Sequence, residues 1–355
     1  MNEVGVEVSM FITLAILAIY AFIAVFGLAY TKDTNHFFNK DYTTVLKGLC
    51  CIIVILVHIP YGHGNAVQNA AGSFGYICVT LFFMFSAYGL TWSVKNKEGY
   101  LNNFFRKRVL ALLTPYIIIC LLKSICGFKV FYGGTNFVFV IFMFYIIFYL
   151  SHKYISNKYR DILICGFVIL YSLVGQIAND FFGFENIILK WQTESLGFMY
   201  GIIFANIIEK FKEKVEKHYA VKIGILAVIS GVLGIAYLKY KYVLFTGDYI
   251  LRIILGIFII MLVFTVTVHF RIGNVFTKYL GKISYEVFLL HGFVMSVFNV
   301  LNLRVSSGMY ILMVILGTLV IATVLNKLDT LIIQKITATT KPFALRQSKV
   351  SKIDT

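Results

Sequence analysis

Two histidines stand in apolar stretches, each a set distance past a lysine that marks the start of its helix: His58 eleven residues after Lys47 in LKGLCCIIVILVHIP, and His291 nine after Lys282 in LGKISYEVFLLHGF. An imidazole titrates near neutrality, so it can take a proton from a hydroxyl that attacks a carbonyl, or receive an acyl group itself. Helical rise carries His58 about 16 Å and His291 about 13 to 14 Å beyond their lysines, so both rings are expected at one level. An ionisable group inside a bilayer costs roughly 2 kcal/mol or more and is kept where it meets a cavity or a partner. For a single buried histidine, helix packing competes evenly with catalysis; two at the same depth favour chemistry.

Further groups could assist. Glu286 is spaced i, i+4 from Lys282, so an ion pair with that lysine competes with a place on a substrate path. In FFRKRVLALLTPY, Arg106, Lys107 and Arg108 precede an apolar run broken by Pro115. Three cations there could clamp phosphate groups, with Lys47 as a fourth, and topological anchoring is the competing use. Cys50, Cys51, Cys78, Cys120, Cys126 and Cys165 have no CxxC spacing, so neither a metal site nor a disulfide framework is expected. They read as small apolar fillers, with a thioester relay at Cys50 or Cys51 as the lesser alternative. In GYICVTLFFMFSAYGLTW, the small residues Ser86, Ala87 and Gly89 allow close helix approach; a nucleophilic Ser86 lacks a base placed by sequence.

Composition decides what must position these groups. The chain is 59% hydrophobic and 14% charged with three prolines, and its mean hydropathy is +0.84, which excludes an ordinary soluble globule. The expected fold is all-α, a polytopic integral membrane bundle of about eleven transmembrane helices. Spans are expected near 8–30, 45–61, 72–93, 109–126, 137–151, 161–177, 195–209, 222–238, 249–268, 283–300 and 309–326. With the N-terminus outside, 25 of the 32 lysines and arginines fall in inner segments, so a plasma-membrane protein with a cytoplasmic C-terminus is expected. The first segment carries Glu3 and Glu7 and no leading lysine, so it reads as a retained span rather than a signal peptide. The formal charge of +16 is then a bias of one face that holds anionic lipid or substrate, with no nucleic-acid partner. From Lys327 onward a short interfacial helix and a disordered basic end are expected. The outer stretch 179–194 reads as a plain loop or, less favourably, as a lid.

Four segments, in order, resemble the membrane acyltransferase-3 family of polytopic O-acyltransferases. Lys47 to His58 looks like its Arg/Lys-x10-His signature, FFMFSAYGL like its FFxxSGxxL stretch, FFRKRVLALLTPY like its basic motif closing in proline, and LGKISYEVFLLHG like its late G-x-I-S-Y motif ending in histidine. The resemblance implies a domain over 41–326, with ten spans as the family core. Residues 1–40 then add one N-terminal helix and an inner loop, and 327–355 form a basic cytoplasmic tail. Lys47 stands where arginine is commoner, which keeps the charge and loses the bidentate fork. Thr80 and Ala87 stand where many relatives have Asp and Gly.

The resemblance implies an O-acetyltransferase that moves an acyl group, most simply acetyl, from cytoplasmic acyl-CoA to a hydroxyl of a cell-envelope polysaccharide or lipid-linked sugar. His58 with Lys47 would be catalytic; Arg106, Lys107, Arg108 and Lys47 would hold the donor; His291, Glu286, Ser284 and Tyr285 would orient groups or bind acceptor. No metal is expected. Partners would be the glycan acceptor, membrane lipids, and a second copy or an envelope protein that carries acyl groups onward. A transporter or flippase for a lipid-linked glycan precursor, with the histidines coupling protons, is the competing class. The internal repeats or broken helices typical of transporters are not evident in the sequence.

Overall fold

The computed structural model describes residues 3–128, 135–183, 190–302 and 304–350. Those residues form helices α1 (Glu3–Val25), α2 (Lys40–Val57), α3 (Ala66–Gly72), α4 (Gly75–Asn96), α5 (Phe104–Ile125), α6 (Thr135–Tyr154) and α7 (Asn157–Phe182), followed by α8 (Gln192–Glu216), α9 (Tyr219–Tyr240), α10 (Arg252–His269), α11 (Val275–Lys282), α12 (Ser284–Val300) and α13 (Ser307–Val350). Each of the eleven expected spans falls on one of these helices. Among the described residues, seven are long and apolar enough to cross a membrane alone, and eight if the bent pair α11–α12 counts as one. The apolar part of α1 is short, Ser9–Val25, and α2 and α8 carry charges at their ends.

Successive long helices run in opposite directions, so lysines and arginines gather at one end of the bundle, called here the basic end. The start of α2, the end of α4 and the start of α5 lie there with Lys40, Lys95 and Arg106. A two-residue antiparallel pairing, β1 (Ala29–Tyr30) with β2 (Phe270–Arg271), ties the α1–α2 connection to the end of α10. Lys278 on α11 bonds Asp41 at 2.5 Å in the first turn of α2. The outward faces are apolar, as on α9, where Val221, Val228, Val232 and Ile235 are exposed.

Glycines bring the central helices together. A side chain at Gly48 on α2 would strike the Thr277 carbonyl on α11, and one at Gly281 on α11 would strike the Thr44 carbonyl on α2. This reciprocal contact lets two backbones touch. The chain then bends by 70° between α11 and α12, with Ile283 at φ −97°, ψ 6°. The glycine of LGKIS therefore fixes where α12 begins relative to α2. In the same way Gly197 and Gly201 of α8 lie against Thr80, Met84 and Ala87 of α4.

Three expectations need correction. Lys47 does not mark the start of its helix: α2 begins at Lys40, capped by the Asn39 side chain accepting from Tyr42 N at 2.8 Å, and Lys47 is two turns in. His58 is not inside a continuous span but caps the end of α2 at φ −98°, ψ 4°, because Pro60 two residues on cannot continue the helix. The chain instead turns into α3, whose Gln68 side chain donates to the Leu56 carbonyl. The segment after Lys327 is not a separate short helix, since α13 runs unbroken through it; no glycine or proline interrupts 318–340. The stretch expected as a lid or loop is helical at both margins, in α7 and α8, and its centre, 184–189, lies outside the described residues.

Candidate active site

The reciprocal glycine contact that sets α12 against α2 also sets the histidines side by side. The His58 and His291 ring centroids are 4.6 Å apart, tilted by 56°. The Nδ1 atom of His58 lies 2.9 Å from the Val54 carbonyl and that of His291 3.2 Å from the Val287 carbonyl. A carbonyl only accepts, so each Nδ1 carries hydrogen and each neutral ring keeps its lone pair on Nε2. His291 is buried at 4% exposure, whereas His58 is exposed at the end of α2. One ring of the pair is therefore accessible and the other is walled in.

Toward the basic end lies a cavity of about 330 Å³, open on one side, between α2, α4, α5, α6 and α12. Lys47 and Arg108 supply its positive charge, while Ser86, Tyr145, Ser284 and Tyr285 supply its hydroxyls. Arg108 is steered by Tyr100, whose hydroxyl accepts from Nη2 at 2.5 Å and Nε at 3.1 Å, and it sits 5.9 Å from the Tyr145 ring centroid. Ser86 and the Tyr145 hydroxyl are hydrogen-bonded at 2.6 Å. Tyr285 donates to the Leu112 carbonyl at 2.8 Å and Ser284 to the Gly281 carbonyl at 2.9 Å. The far end is aromatic, formed by Phe82, Phe137 and Phe288. Phe288 is also 6.0 Å from the His291 ring, so cavity and histidine pair meet at this side chain.

The sequence-derived site thus divides. Lys47, Arg108, Ser284 and Tyr285 line the cavity, and His58 and His291 form the pair behind it. Arg106 and Lys107 do not line it and point outward, exposed. Glu286 is buried but turned toward α13, where Asn326 donates to its Oε1 at 2.9 Å; the expected pair with Lys282 is not formed, since Lys282 is exposed and Glu286 faces the helix interface. Of the small residues on α4, Ala87 packs against Gly201, while Ser86 and Gly89 face the cavity. Cys50 and Cys51 are buried in α2 and do not line the cavity.

A match to the family model described as "Acyltransferase domain" spans residues 40–327. The chain belongs to the acyltransferase-3 family. It is a membrane acyltransferase, and its long apolar helices make it a multi-pass protein. No curated relative and no solved structure matches it. In this acyltransferase several residues bear on the site that the motifs did not single out. Tyr145 is one of 23 tyrosines and Phe288 one of 34 phenylalanines; only the spacing of Phe288, three residues before His291 on a helix, marked it as a neighbour of the ring.

Proposed function

We propose that this acyltransferase takes a short acyl group, most simply acetyl, from acyl-CoA at the basic end and places it on a hydroxyl of a cell-envelope glycan or lipid-linked sugar. The observation that carries the reading is the cavity with Lys47 and Arg108 at its sides and an aromatic end against the histidine pair. The two cations suit the phosphates of a CoA, and the hydroxyls of Ser86, Tyr145 and Ser284 suit its amide-bearing arm. The basic end would then be cytoplasmic, with eleven spans, the N-terminus outside and the C-terminus inside.

In the step itself, the acceptor hydroxyl loses its proton to Nε2 of His58 as its oxygen attacks the thioester carbonyl. The C–S bond breaks, the C–O ester bond forms, and the proton passes from the imidazolium to the leaving CoA thiolate. The end of α2, with its negative pole, lies beside the imidazolium formed on the way. The exposure of His58 gives the acceptor its approach. His291 lies against His58 as an orienting group, and Ser284 and Tyr285 shape the donor side.

The experiment is a turnover assay on purified protein with labelled acetyl-CoA and an envelope-glycan extract. Release of CoA with label on the glycan, both lost in His58→Ala, is the expected result. Movement of a lipid-linked sugar across proteoliposomes with no acyl chemistry would replace the reading with that of a transporter.

A further inference from the structure

The aromatic end of the cavity has a composition that its charged side does not explain. Phe288, 3% exposed, is packed 4.8 Å from Phe137, 6.0 Å from Phe82 and 6.2 Å from Trp191, ring centre to ring centre. Phe137 and Trp191 are 6.3 Å apart, which backs the wall from behind. From Tyr145 to Phe137 on α6, the cavity runs about 12 Å along a helix. Polar groups are confined to the Lys47 and Arg108 side of that run, and this end offers only aromatic carbon.

We propose that Phe82, Phe137 and Phe288 form an acyl-chain subsite, and that Phe288 sets the length of chain the enzyme accepts. The inference rests on the reading of the cavity as an acyl-CoA site. A donor held by its phosphates at Lys47 and Arg108 enters with its acyl end leading, and that end meets the wall. The wall cannot give way freely, because Phe288 is locked between Phe137, Phe82 and Trp191. An extra methylene in a filled apolar pocket is discriminated about 10- to 200-fold, so a short chain is favoured. The ring of His291 is 6.0 Å from Phe288, so truncating Phe288 lengthens the cavity on the histidine side and leaves room for a longer chain.

The test is kcat/KM for acetyl-, butyryl- and hexanoyl-CoA in wild type, Phe288→Leu, Phe288→Ala and Phe82→Ala, each first shown to be monodisperse in detergent. The wild type is expected to prefer acetyl over hexanoyl by at least about 10-fold. Phe288→Ala is expected to raise the hexanoyl-to-acetyl ratio by about 10-fold or more, with Phe288→Leu and Phe82→Ala between. A wild type that turns over acetyl-CoA, with the same chain-length ratio in every folded variant, overturns the subsite and leaves the donor reading standing. A wild type that neither binds nor consumes any acyl-CoA overturns the donor reading, and the subsite with it. Should Phe288→Ala fail to fold, Phe288→Leu and Phe82→Ala decide by the same ratio.

Discussion

The two faces of α4 show opposite uses of small residues. On one face Thr80, Met84 and Ala87 meet Gly197 and Gly201 of α8, where a single methyl would strike backbone. On the other face Ser86 and Gly89 look into the cavity, and a side chain at Gly89 would meet nothing within 4 Å. The absent side chain closes a gap in the first case and keeps one open in the second. The closed face makes α4 a rigid wall; the open face is what the substrate would touch. A site held to fractions of an ångström needs such a fixed support behind it.

The contrast is broken most severely from the closed side. Gly201→Val drives a branched side chain into the Met84 carbonyl and Ala87, and should cost roughly 3 kcal/mol or more, seen as loss of monodisperse protein or a steep fall in Tm. Gly89→Leu should fold normally and instead fill the cavity, raising the donor Kd at least about tenfold by the overlap penalty. If Gly89→Leu unfolds the protein while Gly201→Val does not, the two faces have been misassigned. Next in size, Lys47→Ala and Arg108→Ala should each weaken donor binding about 10- to 100-fold, the range of a lost charged hydrogen bond. Arg106→Ala and Lys107→Ala, both outside the cavity, should change it by less than about twofold; equal effects at all four would point to a diffuse surface potential.

Smaller effects sharpen the same picture. Tyr145→Phe removes the bond to Ser86 and should lower stability by about 1 kcal/mol, readable as a modest Tm shift. The least effect belongs to Asp41, where the Lys278 ammonium holds the carboxyl below its ordinary range. A depressed native value means the stabilisation is present above the ordinary carboxylate pKa of about 3.9 and disappears as pH falls through the lowered value. The pair is exposed, so Asp41→Asn should cost under about 1 kcal/mol at pH 6, and the cost should shrink as pH falls through the lowered value. A Tm difference that stays constant with pH would contradict the pairing.

Counting helical rise from Lys47 and Lys282 was enough to expect both histidines at one depth, and the rings do meet at 4.6 Å. Rise along α12 from Ser284 brings His291 to that level, while Lys282 itself lies on α11, ahead of the 70° bend. Direction round the helix was harder to read. Arg106, Lys107 and Arg108 point about 100° apart, and only the neighbours of α5 decide that Arg108 enters the cavity. Glu286 fits Lys282 by spacing, yet α13 covers that face and gives it Asn326 instead. The end of α2 at His58 was available in Pro60, a stop signal masked by the apolar run before it. Phe288 could not be told apart by type in a chain so rich in phenylalanine, because its importance comes from two surroundings meeting at one ring.

The central claim is that His58 performs the proton transfer while the cationic cavity holds the donor, so the two functions separate. The direct measurement is single-turnover acyl transfer alongside donor Kd in wild type and His58→Ala. Transfer should fall by about 10²- to 10⁴-fold, the span of a lost general base, with the donor Kd changed less than about threefold. Transfer at an unchanged rate in His58→Ala would contradict the claim.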